Sequence, residues 1–379
     1  MSKSESLIFI GMDVHQDTVT LAVFEGASKE AAVVQKLPND LRKLRRFFDR
    51  WAKRGEIRTC YEASGAGYVL YHELTEWGYA CEIIAPSLTP IRPGEQRKHD
   101  RHDAIQLARL YRAGELVPIR IPSPSEERVR DLVRCRQTFQ REILRSRHYI
   151  LKFLSRRGFV FRHGRRWGPK HRAWLERLLH QEQLALQDRA VFSEYLALMD
   201  YKVSRRDDLD RQIEEIAFSE LYRPQVQKLA CFRGISTLSA MTLITEIGDW
   251  RRFERPGQIM AYLGLVPSEH SSGARNHKGS ITKAGNSRCR HVLVQAAWHY
   301  RHRPAVGVEL EKRQRGQPPG VIAHGWKAQH RLYKTFHRIA HRKSSHIAVV
   351  AVARELVGFL WAVMRDHEIE QATALHAAA

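Results

Sequence analysis

The chain has 379 residues, 43% of them hydrophobic and 27% charged, with 63 Lys and Arg against 41 Asp and Glu and a formal net charge of +22. That length suffices for two or three domains with cores of their own, and the cationic surplus calls for a polyanionic partner, nucleic acid ahead of a membrane surface. Five scattered cysteines with no C-x-x-C pair argue against zinc ribbons and disulfide frameworks, and with no signal peptide or apolar run of ~20 residues expected, a soluble cytoplasmic protein with no membrane partner is predicted.

Residues 7–26 read as a β-hairpin, Leu7 to Val14 and Thr18 to Phe24 about a polar turn at His15-Gln16-Asp17. Leu41, Leu44, Phe47, Phe48 and Trp51 fall at helical spacing. A strand from Ile57 to Tyr61 ends at Glu62, a helix follows from about Gly67 to Trp77, and Tyr79 to Ile84 forms another strand closed by Pro86. Alternating strands and helices predict an α/β layer with a mixed sheet. A further helix carries Asp100, Asp103, Leu107, Leu110 and Tyr111 and stops near Gly114.

After the break at Pro122 and Pro124, residues 126–157 predict one long amphipathic helix. Leu132, Phe139, Ile143, Ile150 and Leu154 share a stripe, and Arg130, Arg134, Arg141, Arg145 and Lys152 lie opposite. Between Pro124 and Trp174 there are 15 Lys and Arg against 4 acids. A solvated helix face is one reading; the scarcity of acidic i,i+4 partners favours phosphate contact. Arg165 and Arg166 lie in a basic stretch, 162–172, whose cations and indole suit RNA or single-stranded DNA. Residues 173–222 are helical and more acidic, suited to a helical hairpin or coiled-coil arm.

From Leu229 to Glu246 a helix, a turn at Gly234 and a second helix suggest a helix-hairpin-helix-like element. The stretch 266–286 reads as a loop, and apolar helices are expected from Cys289 to Tyr300 and from Ile347 to Val363. In that loop a serine beside Gly273 can lie exposed on a sharp turn. Arg275, Lys278, Lys283, Arg288 and Arg290 can neutralise a phosphate. From the residues alone, a basic DNA-contact loop is the simpler reading. The five histidines from His324 to His346 lack Cys or acidic partners at ligand spacing, which favours a surface or nucleic-acid-facing role.

Four acids carry the chemistry. Asp13 ends the first strand, Glu62 the second, and Asp100 and Asp103 share one face of a helix start. Together they make a hard oxygen cage suited to two Mg²⁺ ions about 3.5–4 Å apart. Taken singly, Asp100 can be a helix N-cap and Asp17 can substitute for Asp13, although Asp17 fits the hairpin turn better.

Three segments, Ile10 to His15, Tyr61 to Gly65 and Lys98 to Ala104, resemble the acidic motifs of DEDD insertion-sequence transposases. Ala261-Tyr262-Leu263-Gly264-Leu265-Val266-Pro267, Ser271-Ser272-Gly273 and Ile281-Thr282-Lys283-Ala284-Gly285-Asn286 resemble that family's C-terminal block. The resemblance implies a RuvC-like (RNase H-type) domain over 1–158, a helical or coiled-coil arm over 159–224 and a mostly helical transposase domain over 225–379. It implies that Asp13, Glu62, Asp100 and Asp103 hold Mg²⁺ and that Ser272, or its neighbour Ser271, attacks DNA. It further implies donor and target DNA, a guiding bridge RNA, and a dimer or tetramer. Ser268 and Ser280 are weaker candidates. A RuvC-like junction endonuclease, a DNA invertase of the same family and a non-catalytic nucleic-acid scaffold are the competing readings.

Overall fold

The computed structural model describes residues 7–90, 100–180, 184–272 and 275–377, with the backbone alone for 270–272, 275–278 and 367–377. The chain divides into two compact units, Met1–Pro122 and Ser123–Ala379.

The first unit is built on five strands. In chain order it runs β1 (Ile8–Val14), β2 (Thr18–Glu25), β3 (Val33–Pro38), α1 (Leu41–Ala52), β4 (Ile57–Glu62), α2 (Val69–Glu76), β5 (Ala80–Ile84) and α3 (Asp100–Ala113). The sheet order is β3-β2-β1-β4-β5. β2 is antiparallel to both its neighbours, while β4 and β5 continue parallel to β1. This is the mixed α/β sheet expected from the sequence; β3 was not, and it becomes an edge strand.

Strand alternation sorts the two faces. Ile8, Ile10, Met12 and Val14 face a core with Leu44, Phe47, Phe48 and Trp51 of α1 and Leu70 and Leu74 of α2. On the other face Phe9, Ala22 and Phe24 pack on Ala104 and Ala108 of α3. Gly11 lies between Phe9 and Asp13 on this second face, and a Cβ there would collide with the Ala104 carbonyl oxygen and the Ala108 amide nitrogen. Helix backbone therefore sits directly on strand backbone, a contact that only glycine permits. Gly11→Val should destabilise the protein by more than about 3 kcal/mol in urea unfolding; a neutral substitution would mean that α3 is not seated there.

The second unit contains α4 (Pro124–Ser155), α5 (Pro169–His180), α6 (Leu186–Ala217), α7 (Arg223–Ala230), α8 (Thr237–Ile247), α9 (Pro256–Tyr262), β6 (Pro267–Ser272), β7 (Arg275–Ile281), α10 (Ser287–Ala297), α11 (Val308–Gln314), α12 (Pro319–Ala340) and α13 (Ser345–Ala377). Ser123 starts α4 through a reciprocal capping box with Glu126, and Pro124 occupies the first turn. The long helix belongs to the second compact unit. Arg136 pairs with Asp210, Lys202 donates to Ser146, and Phe153 stacks on Phe192, so α4 and α6 run antiparallel. Residues 173–222 contribute α6, which pairs with α4, and most of α5, which packs back on α6: Arg172 bridges to Asp200, and Leu175 and Leu178 share a core with Phe192 and Leu196.

The larger core of this unit gathers α7, α8, α10, α12 and α13. The Ser345–Asp366 part of α13, 22 residues with mean hydropathy 2.0, is long and apolar enough to cross a membrane, contrary to the expectation that no such run exists. Ala348, Val352, Leu356, Val357 and Leu360 are fully buried in the core, so its composition is that of a central packing helix.

Glu246, at the end of α8, ties three helices together with its side chain 1% exposed. It accepts two bonds from the Arg134 guanidinium of α4 at 2.7 and 2.8 Å and one from the Asn286 amide at 2.6 Å. Asn286 in turn caps α10 by accepting from the Arg288 and Cys289 amides. Burial alone would push the Glu246 carboxyl up, but Arg134 and Asn286 hold it below its ordinary value. A depressed carboxyl stabilises above its unfolded pKa and loses that contribution as pH falls through the folded one. Glu246→Ala should cost about 3 kcal/mol, the lower end for a broken buried pair because Arg134 is partly exposed. Urea unfolding measures this; a loss indistinguishable from that of Arg141→Ala would contradict it.

Candidate active site

The carboxyl ends of parallel strands are where open α/β sheets present ligand sites. Asp13 is the penultimate residue of β1, and the last β1–β4 pair is Met12 with Tyr61. Glu62 follows one register step on. Both acids fall on the sheet face that α3 covers, because Phe9 and Cys60, in phase with them, pack on that side. α3 begins at Asp100 and carries Asp103 in its first turn. The Gly11 contact thus seats the start of α3 beside the end of β1.

Within this cluster the His15 ring nitrogen Nε2 lies 3.1 Å from Asp13 Oδ2 and 3.8 Å from Asp100 Oδ1. Lys36 donates to Asp100 Oδ2 at 2.7 Å. Lys36 reaches the site through sheet register: it pairs with Thr20, and Thr20 pairs with Asp13. Thr89 donates to Glu62 Oε1 at 2.9 Å. Asp17 lies in the β1–β2 turn, where its carbonyl accepts from Asn39, and takes no part in the cluster.

Burial pushes the Asp13 carboxyl above its ordinary value, His15 opposes that shift, and Asp100 and Asp103 add to it. Asp100 behaves oppositely, held low by its hydrogen bond to the Lys36 ammonium. A half-buried carboxylate repelled by two neighbours is a group that a cation would relieve. Asp13, His15 and Asp100 each offer a ligand atom within 4.8 Å of the others, and these three could hold a metal ion. Two of the four predicted acids are in that group, and Asp103 is close enough to perturb Asp13. His15 is the member that the sequence reading passed over, although it stands two residues beyond Asp13 in the quoted motif.

The segment read as a loop at 266–286 is instead a β-hairpin, since β6 and β7 pair antiparallel from Pro267–Ile281 to Ser272–Arg275. Ser271 pairs with Asn276 and Ser272 with Arg275, which puts both serines at the hairpin tip. The side chains of Ser271, Ser272, Arg275 and Lys278, and Gly273 altogether, lie outside the described residues. At the hairpin base, Gly285 has φ +69° and approaches the Tyr262 carbonyl too closely for any Cβ. Arg290 donates to the Leu263 and Ala284 carbonyls there, and is thereby committed to the hairpin's footing. Lys283 is exposed with φ +56°.

Among the predicted nucleic-acid contacts, Arg141, Arg145, Lys152, Arg165 and Arg166 are exposed. Arg134 is a correction: its guanidinium is spent on buried Glu246, a partner 112 residues away that helix periodicity could not reveal. Arg145 also has a local partner, Glu142, at 2.9 Å. The helix–turn–helix of α7 and α8 exists, with Gly234 packed on Ala296 and His299.

If the acidic cluster holds a divalent ion, the metal-free protein should lose stability as pH rises through the raised Asp13 pKa. The sign follows from the shift, since a raised carboxyl favours the folded state only while protonated. Added Mg²⁺ or Mn²⁺ should raise the melting temperature at neutral pH. Thermal unfolding of the protein and of Asp13→Asn checks both; an equal metal response in the two proteins would contradict the assignment.

Comparison with known proteins accords with this geometry. Residues 10–157 match the profile of the DEDD transposase domain of IS110-type elements, and residues 226–307 match that of the IS116/IS110/IS902 transposase family. The chain is 35% identical to y4qE of Sinorhizobium fredii, a protein named as a transposase, over 94% of this chain and 88% of that one. It is 32% identical to the transposase for insertion sequence element IS1533 of Leptospira borgpetersenii, over 88% of this chain and 96% of the relative. A more distant relative is the transposase for insertion sequence element IS1111A of Coxiella burnetii, 24% identical over 62% of this chain and 64% of its own. With two relatives above 30% identity across most of its length and both profiles matched in order, the chain belongs to the IS116/IS110/IS902 family of transposases, enzymes that cleave and rejoin DNA.

Proposed function

We propose that this transposase excises and inserts its element by Mg²⁺-dependent, serine-mediated strand exchange, guided by a structured bridge RNA. The observation that carries the metal half is the meeting of Asp13, His15 and Asp100 at the end of β1. The placement of Ser272 at the tip of a basic hairpin supports the other half. Asp13, Glu62, Asp100 and Asp103 hold the ions, with His15 as an additional ligand or a proton carrier. Bound Mg²⁺, as one or two ions, supplies Lewis-acid polarisation of the scissile phosphate.

The Ser272 oxygen attacks phosphorus, its proton passes to a base, and the bond from phosphorus to one deoxyribose oxygen breaks. That oxygen leaves as a hydroxyl once protonated. The phosphoserine link conserves the phosphodiester, and a hydroxyl from a second strand reverses the step to reseal DNA without a nucleotide cofactor. The chemistry is assembled in a dimer or tetramer acting on donor and target DNA. Arg141, Arg145, Lys152, Arg165, Arg166, Arg275, Lys278 and Lys283 contact nucleic acid. The enzyme works in the bacterial cytoplasm at the nucleoid, and its three functional regions are 1–158, 159–224 and 225–379.

Asp13→Ala and Ser272→Ala should each abolish excision in a cell-based assay while leaving DNA binding within a few-fold. Denaturing electrophoresis of reactions with labelled element ends should reveal protein attached to DNA, lost in Ser272→Ala and kept in Ser271→Ala. Cleavage without any attached protein would replace serine attack by hydrolysis.

A further inference from the structure

The outward face of α12 is predominantly positive and lies outside both the acidic cluster and the serine hairpin. Val321, Ala328, Leu332 and Phe336 bury the opposite face in the core. Lys327, Arg331, Lys334 and Arg338 follow one another along the exposed side at spacings of four, three and four, and Arg342 continues the row in the turn just past the helix end. The sequence contains no Asp or Glu from 312 to 354. Two hollows of about 730 and 620 Å³ run along this side, and Arg338 lines both. Among the described residues, Glu355 of α13 is the one carboxylate lining either hollow, and Arg331 already takes it at 2.9 Å. Lys327, Lys334, Arg338 and Arg342 have no carboxylate partner among the described residues.

Cations at i,i+4 repel along a helix, so a row like this opposes the helix that carries it unless an anion neutralises it. We propose that this face of α12 docks the phosphate backbone of duplex DNA. The row from 327 to 342 is about 22 Å long at 1.5 Å per residue, and a duplex of that length presents about a dozen phosphates. Duplex DNA is the polyanion on which transposases act. The contact is to phosphates and carries no sequence preference. It adds a surface beyond the catalytic reading and does not depend on the metal or the serine.

The test is anisotropy titration of the full chain, in EDTA, with a labelled mixed-sequence DNA duplex across a range of salt concentrations. Lys327→Gln/Lys334→Gln/Arg338→Gln should weaken binding at least about tenfold and lower the slope of log K against log salt by about 2 to 3. The charge-keeping Lys327→Arg/Lys334→Arg should retain both, and circular dichroism should report the same helix content in all three proteins. An unchanged slope for DNA in the triple variant, whether or not binding to an RNA duplex changes, would overturn the proposal. The titration in EDTA requires neither the metal nor the serine, so failure of the catalytic reading leaves this result interpretable.

Discussion

The acidic site depends on one close approach, the backbone of α3 resting on the backbone of β1 at Gly11. Without a side chain there, the helix settles low enough for its first turn to stand beside the end of the strand. Asp100 and Asp103 come from a helix that follows the strand by some ninety residues, and neither has a local reason to be near Asp13. Sheet register supplies the rest. Lys36, Thr20 and Asp13 occupy one cross-strand row, and Glu62 continues it on the parallel side.

The two units treat buried carboxylates in opposite ways. Glu246 is nearly inaccessible yet held ionised by two guanidinium bonds and an amide, so it works as a joint among α4, α8 and α10. Asp13 is less buried but is left with repulsion from its acidic neighbours and a single imidazole contact. The first arrangement is satisfied by the protein alone; the second is an imbalance that a bound cation would relieve. The same contrast divides the arginines, since Arg134 and Arg290 are consumed by structure while those of α12 face outward.

The sequence made Asp13 and Asp100 legible because each sits where local signals are strong: the end of an apolar run or the first turn of a helix. The sheet was also legible, apart from β3. That strand, Val33–Pro38, is a half-exposed edge with Gln35 and Lys36 in its middle, so it shows no clean apolar alternation, and missing it hid the Lys36 contact. The hairpin at 267–281 read as a loop because Ser, Gly, Lys and Arg have weak strand signals. α12 escaped notice because its histidines and cations drew attention away from Val321, Ala328, Leu332 and Phe336, which share its buried side. Arg134 could not be judged at all from the helix bearing it. Its partner lies on another helix, and charge patterning along one element is blind to that.

The central claim is that the seating of α3 on β1 creates a divalent-cation site from Asp13 and its neighbours. Crystals of the protein soaked in Mn²⁺ and measured at the manganese absorption edge test it most directly. The account predicts an anomalous peak bonded to Asp13 and Asp100 carboxylate oxygens. Manganese bound only elsewhere, with those carboxylates still paired to His15 and Lys36, would contradict it.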